Sequence, residues 1–227
     1  MRSYKLHLIR HGLTEGNLLG QYLGSGTDSQ LCASGIERLE MLRDKFAYPW
    51  PEKLYVSPMK RTVETAEIIY PDHDYTIVAD LRECHFGEFE GRTFQELMVI
   101  DPNFAKWLDP NSGYQPEGGE ASADFAERVV LALDQIFMDM MRNGIHEASA
   151  VTHGGVIVLL LSMLAFPRKN PGEWTTDNGC GFTISTTPEM WTRDRAVEVI
   201  QILPVGYDFS ESQLNRFRKN KGSEDEE

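Results

Sequence analysis

Leu8-Ile9-Arg10-His11-Gly12-Leu13-Thr14-Glu15-Gly16-Asn17 decides the reading of this chain, because an apolar run delivers an arginine, a histidine and a glycine to a single turn. Residues 4–10 read as a buried strand, and His11 with Gly12 follows at its end. A second stretch, Thr152-His153-Gly154-Gly155, closes another apolar strand at 148–152 in the same way. In an α/β sheet the ligand crevice lies outside the C-terminal ends of the strands. Two imidazoles far apart in sequence can therefore meet there.

Working outward, Ser34-Gly35-Ile36-Glu37 reads as a capping box opening a helix towards Phe46. Residues 53–57 form a short strand, after which Ser57 and Pro58 suit the N-cap and first-turn positions of a helix through Ile69, with Arg61 near its start. Residues 75–81 read as a third strand. Residues 91–121 mix helical pieces with Pro102, Pro110 and Asn111-Ser112-Gly113, as an insertion over the sheet does. Phe125, Val129, Leu133, Ile136, Phe137 and Met140 recur at helical steps, giving a core-facing helix over 122–142. A very apolar helix at 156–165, with both sides covered, and strands at 182–185 and 196–203 complete the pattern. Strands alternating with helices predict an α/β fold, a three-layer α/β/α sandwich with a mostly parallel sheet and a helical insertion capping the active site. One domain is expected over 1–209, followed by a charged tail at 210–227.

The chain has 227 residues, 41% hydrophobic and 25% charged, the balance of an ordinary globular protein. Its longest apolar run, 156–166, is too short to cross a bilayer. A formal net charge of −13 disfavours nucleic acid and anionic membranes as partners, so an anionic substrate needs a local basic pocket. Cys32, Cys84 and Cys180, odd in number and widely spaced, fit reduced thiols in a cytoplasm. Oligomeric state is not legible.

A phosphate placed after the first strand meets the imidazole of His11, the guanidinium of Arg10 and the N–H groups of the turn. Arg61 adds a second guanidinium, and Asn17 a neutral donor. His7 and His11 have the spacing of a helical metal pair, but on a strand that spacing separates them by roughly 13 Å. No metal or cofactor is implied. Cys32 and Arg38 match the Cys-x5-Arg spacing of cysteine-based phosphatases, although Glu37 would set a carboxylate against the anion.

Arg10-His11-Gly12 with Thr14 and Asn17, Ser57-Pro58 with Arg61 and Thr65-Ala66, Leu81-Arg82-Glu83 with Phe86-Gly87-Glu88 and Glu90-Gly91, and Thr152-His153-Gly154-Gly155 occur in the order found in one family. Together they resemble the histidine phosphatase superfamily, in its phosphoglycerate-mutase-like branch. The resemblance implies a catalytic set of His11, Glu83, Arg10, Arg61 and His153. His11 becomes a phosphohistidine, Arg10, Arg61 and His153 bind phosphoryl oxygens, and Glu83 donates a proton. Substrate contacts are expected from Arg10, His11, Asn17, Arg61, Glu83, His153 and Gly154. The neighbouring arginines favour an unprotonated His11, whereas for Glu83 a bound phosphate and the arginines pull in opposite directions.

The expected activity is a metal-independent phosphomonoester hydrolase using a phosphohistidine intermediate on a small phosphorylated metabolite. A cofactor-dependent phosphoglycerate mutase shares the catalytic set, and His85 fits its pattern. Residues 91–117, however, supply only Arg92 and Lys106 as cations, against Phe94, Phe104, Trp107 and Tyr114. A non-catalytic phospho-ligand or protein-binding module is the remaining alternative.

Overall fold

A computed structural model describes residues 2–109 and 112–208, so the expected tail at 210–227 lies outside the described residues. Strand β1 (Tyr4–Arg10) runs through the middle of a seven-stranded sheet. After a single turn, α1 (Glu15–Leu18), the chain forms α2 (Ala33–Lys45), β2 (Lys53–Val56), α3 (Lys60–Ile69) and β3 (Tyr75–Ile77). Two short helices, α4 (Phe94–Ile100) and α5 (Phe104–Trp107), precede the long α6 (Ser122–Asn143). Then come β4 (Glu147–Thr152), α7 (Gly154–Leu164), β5 (Ala165–Phe166), β6 (Gly181–Thr186), α8 (Pro188–Asp194) and β7 (Val197–Leu203).

The strand order is β3-β2-β4-β1-β6-β7-β5. β1 pairs in parallel with β4, β4 with β2 and β2 with β3, whereas β6 is antiparallel to both β1 and β7. The period-two alternation of strand side chains divides the core. Leu6 and Leu8 face α6 and α7, packing with Val129, Leu133, Phe137 and Ile157, while Ile9 faces α2 and α3, packing with Leu39, Ala66 and Ile69. These are the three expected layers. Helix α6 stops at Gly144, whose φ of 68° lies in the left-handed region that glycine enters without strain.

Several boundaries differ from expectation for identifiable reasons. Helix α2 starts at Ala33 with Cys32 at its N-cap and no side-chain cap, so Ser34 is inside the helix. Cys32 is anchored by its N–H to the Leu13 carbonyl and itself accepts from Gly35 and Ile36, which starts the helix before Ser34 can cap it. Ser57 is likewise not the N-cap of α3. Its N–H continues the sheet to the Val151 carbonyl, and Asp28 Oδ1 accepts from the Lys60 N–H instead. Strand β3 is short because residues Ala79–Leu81 tighten into a 3-10 turn. Helix α7 buries Val156, Ile157, Leu160 and Leu161, while Val158 and Leu159 are only half-buried and Met163 is exposed, so its two sides are not both covered. Helix α8 was not anticipated, although Thr187 at its N-cap followed by Pro188 is a legible start signal.

Between β3 and α6, Phe89, Leu97 and Phe104 form a separate buried cluster against Tyr22, Phe86, Trp107 and Tyr114. Among the described residues, no helix is long and apolar enough to cross a membrane.

Candidate active site

The register of β1 on β4 ends with Arg10 opposite Thr152, and the His11 N–H still bonds to the Thr152 carbonyl at 2.9 Å. His11 and His153 are therefore the first residues past the ends of two adjacent parallel strands. Their ring centroids lie 5.3 Å apart at an interplanar angle of 60°.

Each imidazole is oriented by a partner of its own. His11 Nδ1 donates to the Gly12 carbonyl at 2.6 Å, since a carbonyl oxygen can only accept. The proton is thereby fixed on Nδ1, leaving the lone pair on Nε2. Burial first, then the charges of Arg61 and Arg10, holds the His11 imidazole well below its usual pKa and so keeps it neutral. His153 Nε2 pairs with Ser57 Oγ at 2.7 Å, and its Nδ1 is buried with no hydrogen-bond partner among the described residues. Burial, followed by Arg61, holds His153 well below its usual pKa as well. Gly12 is required because a Cβ there would fall 2.6 Å from Leu39 Cδ1, and its N–H donates to Thr65 Oγ1 at 2.9 Å.

Backbone carbonyls hold both guanidiniums in place. Arg10 Nη1 donates to the Thr176 carbonyl at 2.6 Å. Fully buried Arg61 donates from Nη1 to the Thr27 carbonyl and from Nη2 to the Gly24 carbonyl, while its Nε has no partner among the described residues. The loop carrying those carbonyls is gripped by Glu90, whose carboxylate accepts from the N–H groups of Gly24, Gly26 and Phe86 and from Thr27 Oγ1.

Glu83 is buried, and its carboxyl accepts from the N–H groups of Cys84 at 3.0 Å and Gly155 at 2.9 Å. Desolvation raises its pKa above the usual 4.5 despite those two hydrogen bonds and the two arginines, each of which acts in the opposite direction. The loop bearing Glu83 is pinned by Arg128, which donates to the carbonyls of Asp80, Arg82 and Glu83 and to both oxygens of Glu120. Asn17 closes a capping box with Thr14, and its Oδ1 also accepts from Asn178 Nδ2 at 3.3 Å.

A cavity of about 360 Å³ opens above these groups, lined by Arg10, His11, Asn17, Glu83 and Gly154 of the expected set. Arg61 and His153 are fully buried behind it and do not reach its surface. Larger clefts elsewhere, such as the one beside Trp174, hold none of these groups.

Sequence reasoning missed several contributors. Asn178 Nδ2 donates to the carbonyls of His11 and Gly12, tying the β1 turn to the chain before β6. Ser57, Thr65, Glu90 and Arg128 were also unassigned as supports, though three of them belong to or border the motif blocks. The Cys-x5-Arg alternative finds no cradle. Cys32 Sγ lies against Ser34 Oγ, and Arg38 turns to Tyr207 and Asp177. The Cys84 thiol is pushed up to about 12, chiefly by burial, so it stays protonated. His7, rather than sharing a ligand with His11, pairs with Thr183 and Glu147.

The chain is similar to several proteins named as phosphatases. Adenosylcobalamin/alpha-ribazole phosphatase of Escherichia coli (strain K12) is 28% identical over 194 residues, covering 83% of this chain and 93% of that protein. Glucosyl-3-phosphoglycerate phosphatase of Mycolicibacterium vanbaalenii is 28% identical over 189 residues, covering 80% and 82%. The crystal structure of the alpha-ribazole phosphatase from Shigella flexneri superposes with a TM-score of 0.69 at 25% identity, covering 90% of this chain and 99% of that one. Residues 6–198, which carry all four motif blocks and both histidines, match the histidine phosphatase superfamily (branch 1), and the chain belongs to that family.

Proposed function

We propose that the protein hydrolyses small phosphomonoesters without a metal, through a phosphohistidine formed on His11. The observation that carries this reading is the pinned, neutral imidazole of His11, with Nδ1–H held by Gly12 and Nε2 left as the nucleophile beside Arg10. Nε2 attacks phosphorus, the ester P–O bond breaks, and Glu83 in its protonated form gives its proton to the leaving oxygen. Water then attacks the phosphohistidine, Glu83 takes the proton from that water, and the N–P bond breaks to release phosphate. Arg10 meets the phosphoryl oxygens at the cavity surface, while Arg61 and His153 add positive charge and a ring N–H from behind. Where the Ser57 hydroxyl donates to His153 Nε2, that N–H lies on Nδ1. Two guanidiniums supply the charge stabilisation that magnesium gives in other phosphoryl-transfer sites. Asn17 and Gly154 contribute substrate contacts from the cavity wall.

The test is hydrolysis of a chromogenic aryl phosphate in excess chelator, by the wild type and by His11→Ala, with an alkaline quench to trap the phosphorylated enzyme. The expected result is His11-dependent, chelator-insensitive turnover with phosphate on His11. Background rates for both proteins would favour a binding module. Conversion of 3- to 2-phosphoglycerate outrunning phosphate release would favour a mutase.

A further inference from the structure

Resting on that reading, the cavity also bears on what leaves with the alcohol oxygen. The leaving oxygen must sit at Glu83, so the group attached to it faces the wall beside Glu83, where Tyr22, Leu23, Phe86 and Val158 line the cavity. That wall is braced. Tyr22 is pinned to the next segment by its N–H to the Arg92 carbonyl and its carbonyl to the Gly91 N–H. Its ring meets Phe86, Phe104 and Trp107 edge-on at 5.8, 5.9 and 5.3 Å, and Phe86 meets Trp107 at 5.6 Å. A wall this well supported is preformed, and a flat apolar group gains from it without an ordering cost.

Charge points the same way. Arg10 is the only cationic side chain lining the cavity among the described residues, and it stands at the phosphoryl end. Arg92 is turned to the Glu88 carbonyl and Lys106 to Asn103, and neither lines the cavity. A second anion on the substrate would be desolvated against the aromatic wall with no counter-charge, in a chain of net charge −13. The volume, about 360 Å³, lies near the lower end of small-ligand pockets, which run from roughly 300 to 1,000 Å³. We infer that the substrates are monoesters of uncharged alcohols carrying an aromatic or similarly flat apolar group, and that esters bearing a second anion are disfavoured.

Three esters of aliphatic alcohols test this without the bias of an activated leaving group: benzyl phosphate, glycerol phosphate and 3-phosphoglycerate. The expected kcat/KM for benzyl phosphate exceeds that for 3-phosphoglycerate by at least about 10-fold. Val158→Lys, on the half-buried face of α7, is expected to move that ratio towards 3-phosphoglycerate by about 10-fold. A second readout is independent of turnover: benzylphosphonate should bind at least about 10-fold more tightly than 2-carboxyethylphosphonate by calorimetry. A preference for 3-phosphoglycerate, a ratio unmoved by Val158→Lys, or equal or reversed phosphonate affinities would overturn the inference. No turnover of any ester, together with the expected phosphonate preference, would sink the catalytic reading while the apolar wall stands.

Discussion

Gly155→Ala separates the proposed acid from the rest of the site. Gly155 is exposed, the second residue of α7, and a Cβ there would fall 2.5 Å from Glu83 Oε1 and 3.0 Å from its carboxyl carbon. The obstacle is the end of a side chain, not backbone, so the carboxyl swings away and the helix stays. Exchanging glycine for alanine within a helix gains up to about 1 kcal/mol, and losing the Gly155 N–H···Oε2 bond costs about 0.5–1.5 kcal/mol. Stability should therefore change by no more than about 1 kcal/mol. Catalysis should not be spared. A positioned general acid contributes roughly 10²- to 10⁴-fold, and a displaced one loses the lower end of that range. Hydrolysis of benzyl phosphate is expected to fall about 100-fold, some 2.7 kcal/mol of barrier. An ester of p-nitrophenol, whose anion leaves without a proton, should lose less than about 10-fold. The assay is kcat/KM for phosphate release from each ester, which reports transfer to His11 and not the later hydrolysis both share, with a thermal melt as control. Equal losses on both would mean that the methyl group merely blocks the cavity and that Glu83 is not the acid.

The pH dependence of kcat/KM for an alkyl ester should be bell-shaped, falling on the acid side as His11 is protonated, well below 6.5, and on the alkaline side as Glu83 ionises, above 4.5; a flat profile would remove both assignments. For stability the folded-state pKa values of His11 and His153 are depressed, so the unfolded chain binds more protons below 6.5. Unfolding free energy from urea titrations should fall as pH drops below that value, each histidine contributing up to about 1.4 kcal/mol per pH unit, and a rise towards pH 5 would contradict it. Arg128→Met strips the carbonyls of Asp80, Arg82 and Glu83 of their donor and leaves Glu120 unpaired, so a loss of about 3–5 kcal/mol is expected in denaturant unfolding. Glu90→Gln keeps one acceptor oxygen where four donors converge, and calorimetric affinity for inorganic phosphate should drop at least several-fold as the Arg61 clamp loosens; unchanged affinity would uncouple the two.

The sheet and the two histidines were legible because they depend on local signals. An apolar run ending in Arg10-His11-Gly12 fixes a strand and its exit, and the same grammar repeats at His153. The antiparallel direction of β6 was not legible, since it follows from where residues 167–180 return to the sheet. Asn178 shows the same limit. Thr176-Asp177-Asn178-Gly179 reads only as a polar turn, and the carbonyls that Asn178 holds belong to residues more than 160 positions earlier. Ser57 was noticed for the wrong reason. Local chemistry offers a serine before a proline to a helix start, but His153, brought in by β4, claims the hydroxyl first. Arg128 lies on the polar side of a helix whose apolar face dominates its pattern, and nothing local marks it as a brace for the Glu83 loop. A signal for Glu90 was present in the Phe86 to Gly91 block, though not its purpose.

The alignment of Arg10 with Thr152 has a consequence for how such a protein can change. Neighbouring strands stand about 4.8 Å apart wherever they are hydrogen-bonded, so the spacing between the two imidazoles is inherited from the ladder and owes nothing to the length of any connecting segment. The rings proposed to meet the alcohol, Tyr22 and Phe86, lie outside that ladder and are backed by Phe104 and Trp107. Side chains of α4 and α5, which back those rings, can therefore be exchanged without touching the ladder that spaces the two imidazoles.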